Sequence, residues 1–304
     1  MEDDDVPHVE NESQYHWYMP ALPFDEGLED VLAAWKRHAL AAGHSDRTIT
    51  SREYTIRRLA ACGIDPMSAT RDELTDWLAS LMDSRTGAPA KRSTKATYRA
   101  QLRAFYVWVV DTGRVQENPA DRLPTPKPGR GVPRPVTPAQ VRMILDACSD
   151  PRAATTRSYV LLSAYAGLRV HEVARVRGED VLGSELLVQG KGGTSLTVPM
   201  HPLLVDLAQR MPLSGWWFPS SSTRGYVDRS SVSSAIKRAM VRAGVPGTPH
   251  ALRHHFGTQV LISSGGDLRT TQRALRHASP ATTAIYTQVP DAALAQGVSG
   301  IPAA

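Results

Sequence analysis

The residues best suited to chemistry stand close together near the C-terminus. The segments His250-Ala251-Leu252-Arg253, Leu275-Arg276-His277 and Ile285-Tyr286-Thr287 place two imidazoles, a guanidinium and a phenol within 37 residues. A guanidinium flanked by imidazole donors can grip a phosphate, and a phenol beside it is a candidate nucleophile. The spacing therefore points to chemistry at a phosphate group.

Two further candidates lie upstream. Arg169 is followed one helical turn later by Glu172, a spacing at which a carboxylate can orient a guanidinium, although such pairs are common in helices without that role. Lys191 stands in the Gly-rich turn Gln189-Gly190-Lys191-Gly192. Lys191 and Lys237 are the only lysines within residues 136–304. A lysine at this turn is therefore set apart from generic surface charge.

Hydrophobic periodicity predicts a mainly α fold that positions these groups. The predicted helices cover 27–42, 46–62, 70–83, 90–112, 138–148, 153–167, 202–210, 230–243, 250–264, 267–276 and 280–286, with a short helix carrying Arg169 and Glu172. Thr70 and Glu73 suggest a capping box, and Pro138 directly after Thr137 is a usual helix start. Within 180–200, two apolar runs around the Gly-rich turn predict a β-hairpin.

A run of prolines divides the chain. Seven prolines fall between Pro119 and Pro138, and such a stretch cannot continue a helix. We expect an acidic flexible tail over 1–25, a helical domain over 26–118, a semi-rigid linker over 119–136, a mixed helical domain with the hairpin over 137–289 and a tail over 290–304.

The charge is uneven along the chain. The first 25 residues hold seven of the 30 acids and no Lys or Arg, which leaves 35 basic against 23 acidic residues, or about +12, in the rest. A body this basic favours a polyanionic partner, usually nucleic acid, over the alternative of a basic protein without one.

Composition disfavours several other classes. The two cysteines, Cys62 and Cys148, form neither a disulfide framework nor a metal-ligand pair. The chain has no apolar run of roughly 20 residues and no signal peptide, so we expect a cytoplasmic protein without membrane contact. Three histidines in 250–255 suggest zinc, but no acid stands beside His250 and Arg253 would place positive charge at the metal. We therefore expect no metal site.

Helix 90–112 carries two stripes at helical spacing. The apolar stripe, which we expect to face the core, consists of Tyr98, Leu102, Phe105 and Val109. The basic stripe, about a quarter-turn away, consists of Arg92, Lys95, Arg99 and Arg103. This second stripe is either a solvated flank or a surface that tracks phosphates. On the latter interpretation the preceding predicted helix adds Arg47, Arg52, Arg57 and Arg58.

The order of the chemical groups resembles that of the tyrosine recombinases, the family of phage integrases and Xer proteins. The pattern is Arg169-x-x-Glu172, Lys191 at a turn, His250-x-x-Arg253, His277, and Tyr286 nine residues later. The resemblance covers roughly 26–290. It implies an N-terminal helical core-binding (SAM-like) bundle and a C-terminal catalytic domain that clamp double-stranded DNA. It also favours the phosphate-tracking interpretation of Arg92, Lys95, Arg99, Arg103, Arg47 and Arg52.

The resemblance assigns roles as well. Tyr286 is the nucleophile and forms a 3′-phosphotyrosine, and the groups expected to support it are Arg169, Lys191, His250, Arg253 and His277, with Glu172 orienting Arg169. The guanidiniums hold non-bridging oxygens, His250 assists deprotonation of the phenol and Lys191 protonates the 5′ leaving oxygen. Because the covalent link conserves the phosphodiester energy, the reaction needs no ATP, metal or other cofactor.

Two positions depart from the family pattern. Arg276 stands before His277 where Gly is usual, so we expect the local helix geometry or a phosphate contact to differ. The hairpin after Lys191 reads Gly192-Gly193-Thr194, without the additional basic residues common there. This affects the secondary DNA contacts of the hairpin and not the role of Lys191.

We therefore expect a site-specific DNA recombinase. The first interpretation is a compact temperate-phage integrase without an arm-binding domain. The alternatives are a Xer-type recombinase for chromosome dimer resolution and a non-catalytic DNA-binding protein with the same clamp. The expected partners are DNA recombination sites and three further copies of the chain in a homotetramer. A host DNA-bending or directionality factor is another candidate. We expect the 290–304 tail to dock in trans on the neighbouring subunit.

Overall fold

The computed structural model describes residues 25–83, 86–126, 135–189 and 195–276. Contacts divide the chain into two compact units, residues 1–130 and 131–304. The acidic segment, most of the Pro-rich stretch and the C-terminal tail lie outside the described residues. The proposed limits of tails, linker and domains therefore stay predictions.

The first unit is built from the four predicted helices. They are α1 (Asp25–Ala41), α2 (Asp46–Ala60), α3 (Arg71–Ser80) and α4 (Arg92–Asp111). The capping box at α3 is confirmed, since the Thr70 N–H donates to Glu73 Oε2 at 2.8 Å and the Glu73 N–H to Thr70 Oγ1 at 3.3 Å. Each helix begins or ends within three residues of its predicted limits, because caps and periodicity are local signals.

The apolar stripe of α4 faces the core of this unit, as predicted. Leu102, Phe105 and Val109 are fully buried, and Tyr98 packs partly buried against the same cluster. The ring of Phe105 meets that of Trp35 from α1 edge-on at 5.7 Å between centroids. Such aromatic contacts add specificity to the burial of apolar area.

The second unit contains seven further α-helices among the described residues. They are α5 (Pro138–Asp146), α6 (Ala154–Tyr165), α7 (Val170–Val173), α8 (Pro202–Ala208), α9 (Arg229–Arg242), α10 (His250–Ser263) and α11 (Leu268–Leu275). Thr137 caps α5 by accepting the Gln140 N–H at 3.2 Å, which confirms the predicted start. The predicted helix 280–286 lies outside the described residues.

A three-stranded antiparallel sheet stands between α7 and α8. Its strands are β1 (Val181–Leu182), β2 (Glu185–Gln189) and β3 (Ser195–Pro199), in the order β1-β2-β3. The predicted hairpin is β2 and β3, which pair from Glu185↔Pro199 to Gln189↔Ser195. Strand β1 was missed, because two residues are too few to show a period.

Helix α6 is the centre of the second core. Residues from Ser158 to Ala164 are all buried, which matches its apolar composition on every side. It contacts α5, α7, α8, α9 and α10. The mainly α fold class is thus confirmed. None of the described helices is long and apolar enough to cross a membrane.

We predict that Phe105→Ala destabilises the first unit strongly while Val107→Ala does not. Both residues lie on α4, but Phe105 is 0% exposed and Val107 60% exposed. Removing the buried ring leaves a cavity and should lower the free energy of unfolding by about 3–5 kcal/mol. The exposed control should change it by less than about 0.5 kcal/mol. Chemical denaturation measures both, and equal losses would contradict the assigned core.

Candidate active site

Arg169 and Glu172 form a clamp around the start of α7. Arg169 is the N-cap residue, and Glu172 Oε2 accepts its backbone N–H at 2.8 Å while Oε1 accepts its guanidinium Nη1 at 2.9 Å. The Glu172 side chain is 3% exposed, whereas that of Arg169 is 37% exposed. The carboxylate is therefore a buried anchor, and the guanidinium it orients reaches solvent.

Arg253 brings a second guanidinium to the same carboxylate from α10. This residue is 1% exposed, and its Nη1 lies 3.9 Å from Glu172 Oε2. Its two terminal nitrogens also donate to the backbone carbonyls of Gly167 and Leu275. A guanidinium taken out of water needs such a set of acceptors, so its position is tightly defined.

Gly167 lies where an added side chain would clash with its surroundings. Its φ is +60°, and a Cβ there would lie 2.4 Å from Cδ1 of Phe256. The close approach lets its carbonyl reach the guanidinium of Arg253. Sequence reasoning gave Gly167 no role, and the available signal was its place two residues before Arg169.

Arg276, where the family pattern has Gly, belongs to this cluster as well. Its Nη2 donates to Glu172 Oε2 at 2.9 Å, and its side chain is 5% exposed. Its backbone lies in the left-handed region, with φ 54°. The sequence flagged this position as a departure but did not show that the side chain points to Glu172.

The three guanidiniums keep Glu172 ionised. Burial acts to raise the pKa of its carboxyl, but Arg276, the Arg169 backbone N–H and the Arg253 and Arg169 charges outweigh that effect. The pKa therefore lies below its ordinary value. An ionised carboxylate is what the orientation of Arg169 requires.

His250 stands at the first position of α10, beside these cations. Desolvation, Arg253 and Arg169 together lower its pKa. The ring of His254, one turn further along, packs against it at 4.4 Å between centroids, and burial with the His250 and Arg253 charges lowers the pKa of His254 to about 4. Both imidazoles are thus mainly neutral at pH 7, so His250 can accept a proton.

An open pocket of about 320 Å³ joins these groups. It is lined by Leu168, Arg169, Val170, His171, Ser233, Thr248, Pro249, His250 and Arg253. Arg169 and His250 therefore face one solvent-accessible space, with Arg253 in its wall. The arrangement of donors suits an oxyanion such as a phosphate group.

Three of the predicted catalytic residues, Lys191, His277 and Tyr286, lie outside the described residues. The structure does describe the strand ends on either side of Lys191, with Gln189 paired to Ser195. It also describes Arg276, which directly precedes His277. The roles of all three stay predictions.

No group of three or more His, Cys, Asp or Glu side chains is placed to hold a metal ion in the described parts of the chain. His255, one of the three histidines that suggested zinc, is buried and its Nδ1 lies 2.8 Å from the carbonyl oxygen of Val136.

The basic stripe of α4 is partly engaged within the first unit. Lys95 and Arg99 donate to backbone carbonyls at 2.7 and 2.9 Å, and Arg103 pairs with Asp121 at 2.9 Å. Arg92 is exposed. The stripe therefore contributes to the fold, and its role in DNA contact stays a prediction.

The arginines of α2 divide in the same way. Arg57 pairs with Glu29, and Arg58 donates to the Tyr98 hydroxyl at 2.8 Å. Arg52 lies 3.4 Å from His44 Nε2, and Arg47 is exposed. Arg47 and Arg92 are thus exposed among the predicted phosphate contacts.

Comparison with known proteins places this chain in a family. Residues 134–292 match the phage integrase family. Over 289 residues the chain is 31% identical to the tyrosine recombinase XerC of Mycobacterium sp. (strain KMS), covering 86% of this chain and 95% of that protein. The chain therefore belongs to the phage integrase family of tyrosine recombinases. It is a tyrosine-type site-specific recombinase.

Solved structures agree on the fold. Lambda integrase (residues 75–356) bound to DNA superposes with a TM-score of 0.67 at 18% identity, covering 87% of this chain and 98% of that one. A lambda integrase tetramer bound to a Holliday junction gives 0.67 at 17% identity, covering 85% and 76%. Both likenesses establish the fold.

We predict that Gly167→Ala destabilises the second unit more than Gly183→Ala. The two glycines have φ values of +60° and +63°, but only Gly167 has a neighbour within 4 Å of the added Cβ. Both variants carry left-handed strain of about 1–2 kcal/mol. The contact with Phe256 should add about 1–3 kcal/mol at Gly167 alone.

Free energies of unfolding for the two variants measure that difference. Adding Phe256→Leu to Gly167→Ala should recover part of the loss, because the smaller, flexible side chain can move. Equal losses in the two single variants would show that the Phe256 contact is not what requires glycine.

Proposed function

We propose that this chain cleaves and rejoins duplex DNA through a 3′-phosphotyrosine intermediate, and that its biological reaction is integration and excision of a phage genome. One observation carries the strand-cleavage chemistry. Two guanidiniums, Arg169 and Arg253, are fixed by one buried carboxylate and line a pocket that also receives His250.

This arrangement suits phosphoryl transfer by protein groups. Attack on a phosphodiester develops charge on its non-bridging oxygens, and guanidiniums fixed in advance stabilise that charge without reorganising. In the proposed step the Tyr286 oxygen bonds to phosphorus, the bond to the 5′ oxygen breaks, and Lys191 gives that oxygen its proton. Neutral His250 accepts the phenolic proton.

The phenol needs these cations. The reference pKa of tyrosine is about 10, so few phenolates exist at neutral pH in water. Positive charge around the scissile phosphate favours the phenolate and the transition state alike. Religation reverses the step with a new 5′ hydroxyl and consumes no ATP.

Double-stranded DNA is the proposed partner, and the exposed Arg47 and Arg92 support a phosphate contact by the first unit. We also propose that four copies act together on synapsed DNA; in a solved structure of the same fold, a lambda integrase tetramer is bound to a Holliday junction. The expected trans-docking tail and a host DNA-bending or directionality factor belong to this same proposal.

A second candidate is chromosome dimer resolution. It is favoured by the similarity to XerC across 95% of that relative. A plasmid assay separates the two roles. An integrase joins two different partner sites and inserts one circle into another, whereas a resolving recombinase acts on two copies of one site. Resolution of directly repeated identical sites without insertion would reject the integrase role.

We predict that Tyr286→Phe abolishes the covalent protein–DNA adduct while DNA binding persists, because only the phenolic oxygen is lost. A nicked recognition site traps the adduct for denaturing gels. Tyr165→Phe, which removes a hydroxyl elsewhere in the unit, is the matched control and should form adduct normally. Cleavage should also proceed in EDTA. An adduct in Tyr286→Phe, or a requirement for divalent metal, would refute the mechanism.

We predict that Lys191→Ala slows cleavage by about 10²- to 10⁴-fold, as expected when a general acid is removed. Replacing the 5′ bridging oxygen by sulfur should restore most of the rate, since sulfur leaves without a proton. Lys237→Ala is the matched control, because Lys237 donates to the Gly247 carbonyl at 2.8 Å and should be dispensable for cleavage.

The arginine variants complete this test. Arg169→Ala and Arg253→Ala should not be rescued by sulfur, because their expected contacts are to non-bridging oxygens. If Lys191→Ala is not rescued either, Lys191 is not the general acid.

A further inference from the structure

Arg276 is held in a backbone conformation that disfavours an arginine. With φ 54° and ψ 45° it is the C-cap of α11 and the one non-glycine residue of positive φ among the described residues. L-residues with a Cβ are strained in this region, and Gly is not. An arginine retained in this strained backbone conformation suggests that its side chain has a specific function.

The side chain turns inward and binds the groups that hold the site together. Nη2 donates to Glu172 Oε2 at 2.9 Å and to the Gly167 carbonyl at 3.3 Å, and Nη1 donates to the Ala166 carbonyl at 3.3 Å. The side chain is 5% exposed. A direct contact with a DNA phosphate would require these bonds to break.

Two of these acceptors also serve the proposed catalytic arginines. Glu172 Oε2 accepts the Arg169 backbone N–H at 2.8 Å, and the Gly167 carbonyl accepts from Arg253. Arg276 therefore sits behind both guanidiniums and shares their anchors. In the sequence, Arg276 immediately precedes His277.

We propose that Arg276 is a positioning residue that fixes Glu172 and the Gly167 carbonyl, and through them orients Arg169 and Arg253 toward the phosphate. This inference rests on the proposed function. It assigns the position before His277 a task that glycine cannot perform, since glycine has no side chain to reach Glu172.

The charged groups around Glu172 come from several elements. They are Arg169 at the start of α7, His171 on α7, Arg253 on α10, Arg276 after α11, and Arg175 and Asp180, which border a cavity of about 10 Å³ together with Glu172. Arg276 is the strongest charge that lowers the pKa of Glu172. Without it, that pKa should rise, and protonation should release Arg169 at a higher pH.

A measurement on the DNA-free protein tests the contact itself. Glutamate carboxyl carbons are followed by ¹³C NMR against pH, with Glu172→Gln used to assign the Glu172 signal. Arg276→Gly should move the Glu172 midpoint upward. Arg273→Gln, which removes an exposed arginine three residues earlier on α11, should leave it in place. An unmoved midpoint in Arg276→Gly would overturn the proposal whatever the enzyme does.

Single-turnover cleavage with saturating nicked DNA tests the consequence. Arg276→Gly should cleave roughly 10- to 100-fold more slowly, as expected for misplaced catalytic groups. Its loss of activity on acidification should begin at a higher pH than in the wild type. Arg276→Lys keeps the charge but loses the planar guanidinium, so its cleavage rate should lie between those of Arg276→Gly and the wild type. Arg273→Gln should cleave at the wild-type rate.

A double-mutant cycle separates positioning from simple stability. If Arg276 acts through Glu172, Arg276→Gly should cost much less in a Glu172→Gln background than in the wild type. Its Tm should not fall in proportion to its rate, because Gly relieves the strain at φ 54°. Equal costs in both backgrounds, or a wild-type rate in Arg276→Gly, would overturn the proposal.

A failure of the proposed function would give a different result from a failure of the Arg276 proposal. In that case the wild-type protein itself gives no Tyr286-dependent adduct, while the NMR titration still decides whether Arg276 controls Glu172.

Discussion

A buried carboxylate that must be neutralised is the constraint on which the catalytic unit depends. The Glu172 side chain is 3% exposed, and an unpaired charge there would cost several kcal/mol. Its partners arrive from three places, the N-cap of α7, the body of α10 and the end of α11. The three elements must therefore dock in one arrangement. Three guanidiniums against one carboxylate leave two positive charges in excess, which favours a bound phosphate.

Backbone carbonyls next to the hydrophobic core accept hydrogen bonds from this arginine cluster. Helix α6 is buried from Ser158 to Ala164 and is followed directly by Ala166 and Gly167, whose carbonyls accept from the buried arginines. Because α6 also contacts the helices around it, the positions of these acceptors follow from the packing of the whole unit. Gly167, whose φ is positive, therefore connects the buried core to the cluster of arginines.

The arginines of the first unit differ in their surroundings in a way that a charge count does not show. Arg57 and Arg103 pair with acids, and Arg58 and Arg99 donate to neutral acceptors within the unit. The exposed pair of Arg103 with Asp121 is expected to contribute little to stability. Arg47 and Arg92, by contrast, are exposed, so the basic residues of this unit include both internal partners and solvated side chains.

The sequence by itself determined what depends on neighbours in the chain. Helical periodicity, the caps at Thr70 and Thr137, the β2–β3 hairpin, and the one-turn spacings of Arg169 with Glu172 and His250 with Arg253 are all local. Tertiary structure alone decided that Arg276, 104 residues beyond Glu172, binds the same carboxylate, and that Gly167 must lie against Phe256. These contacts join distant elements, and their formation depends on how helices pack, which no local pattern records.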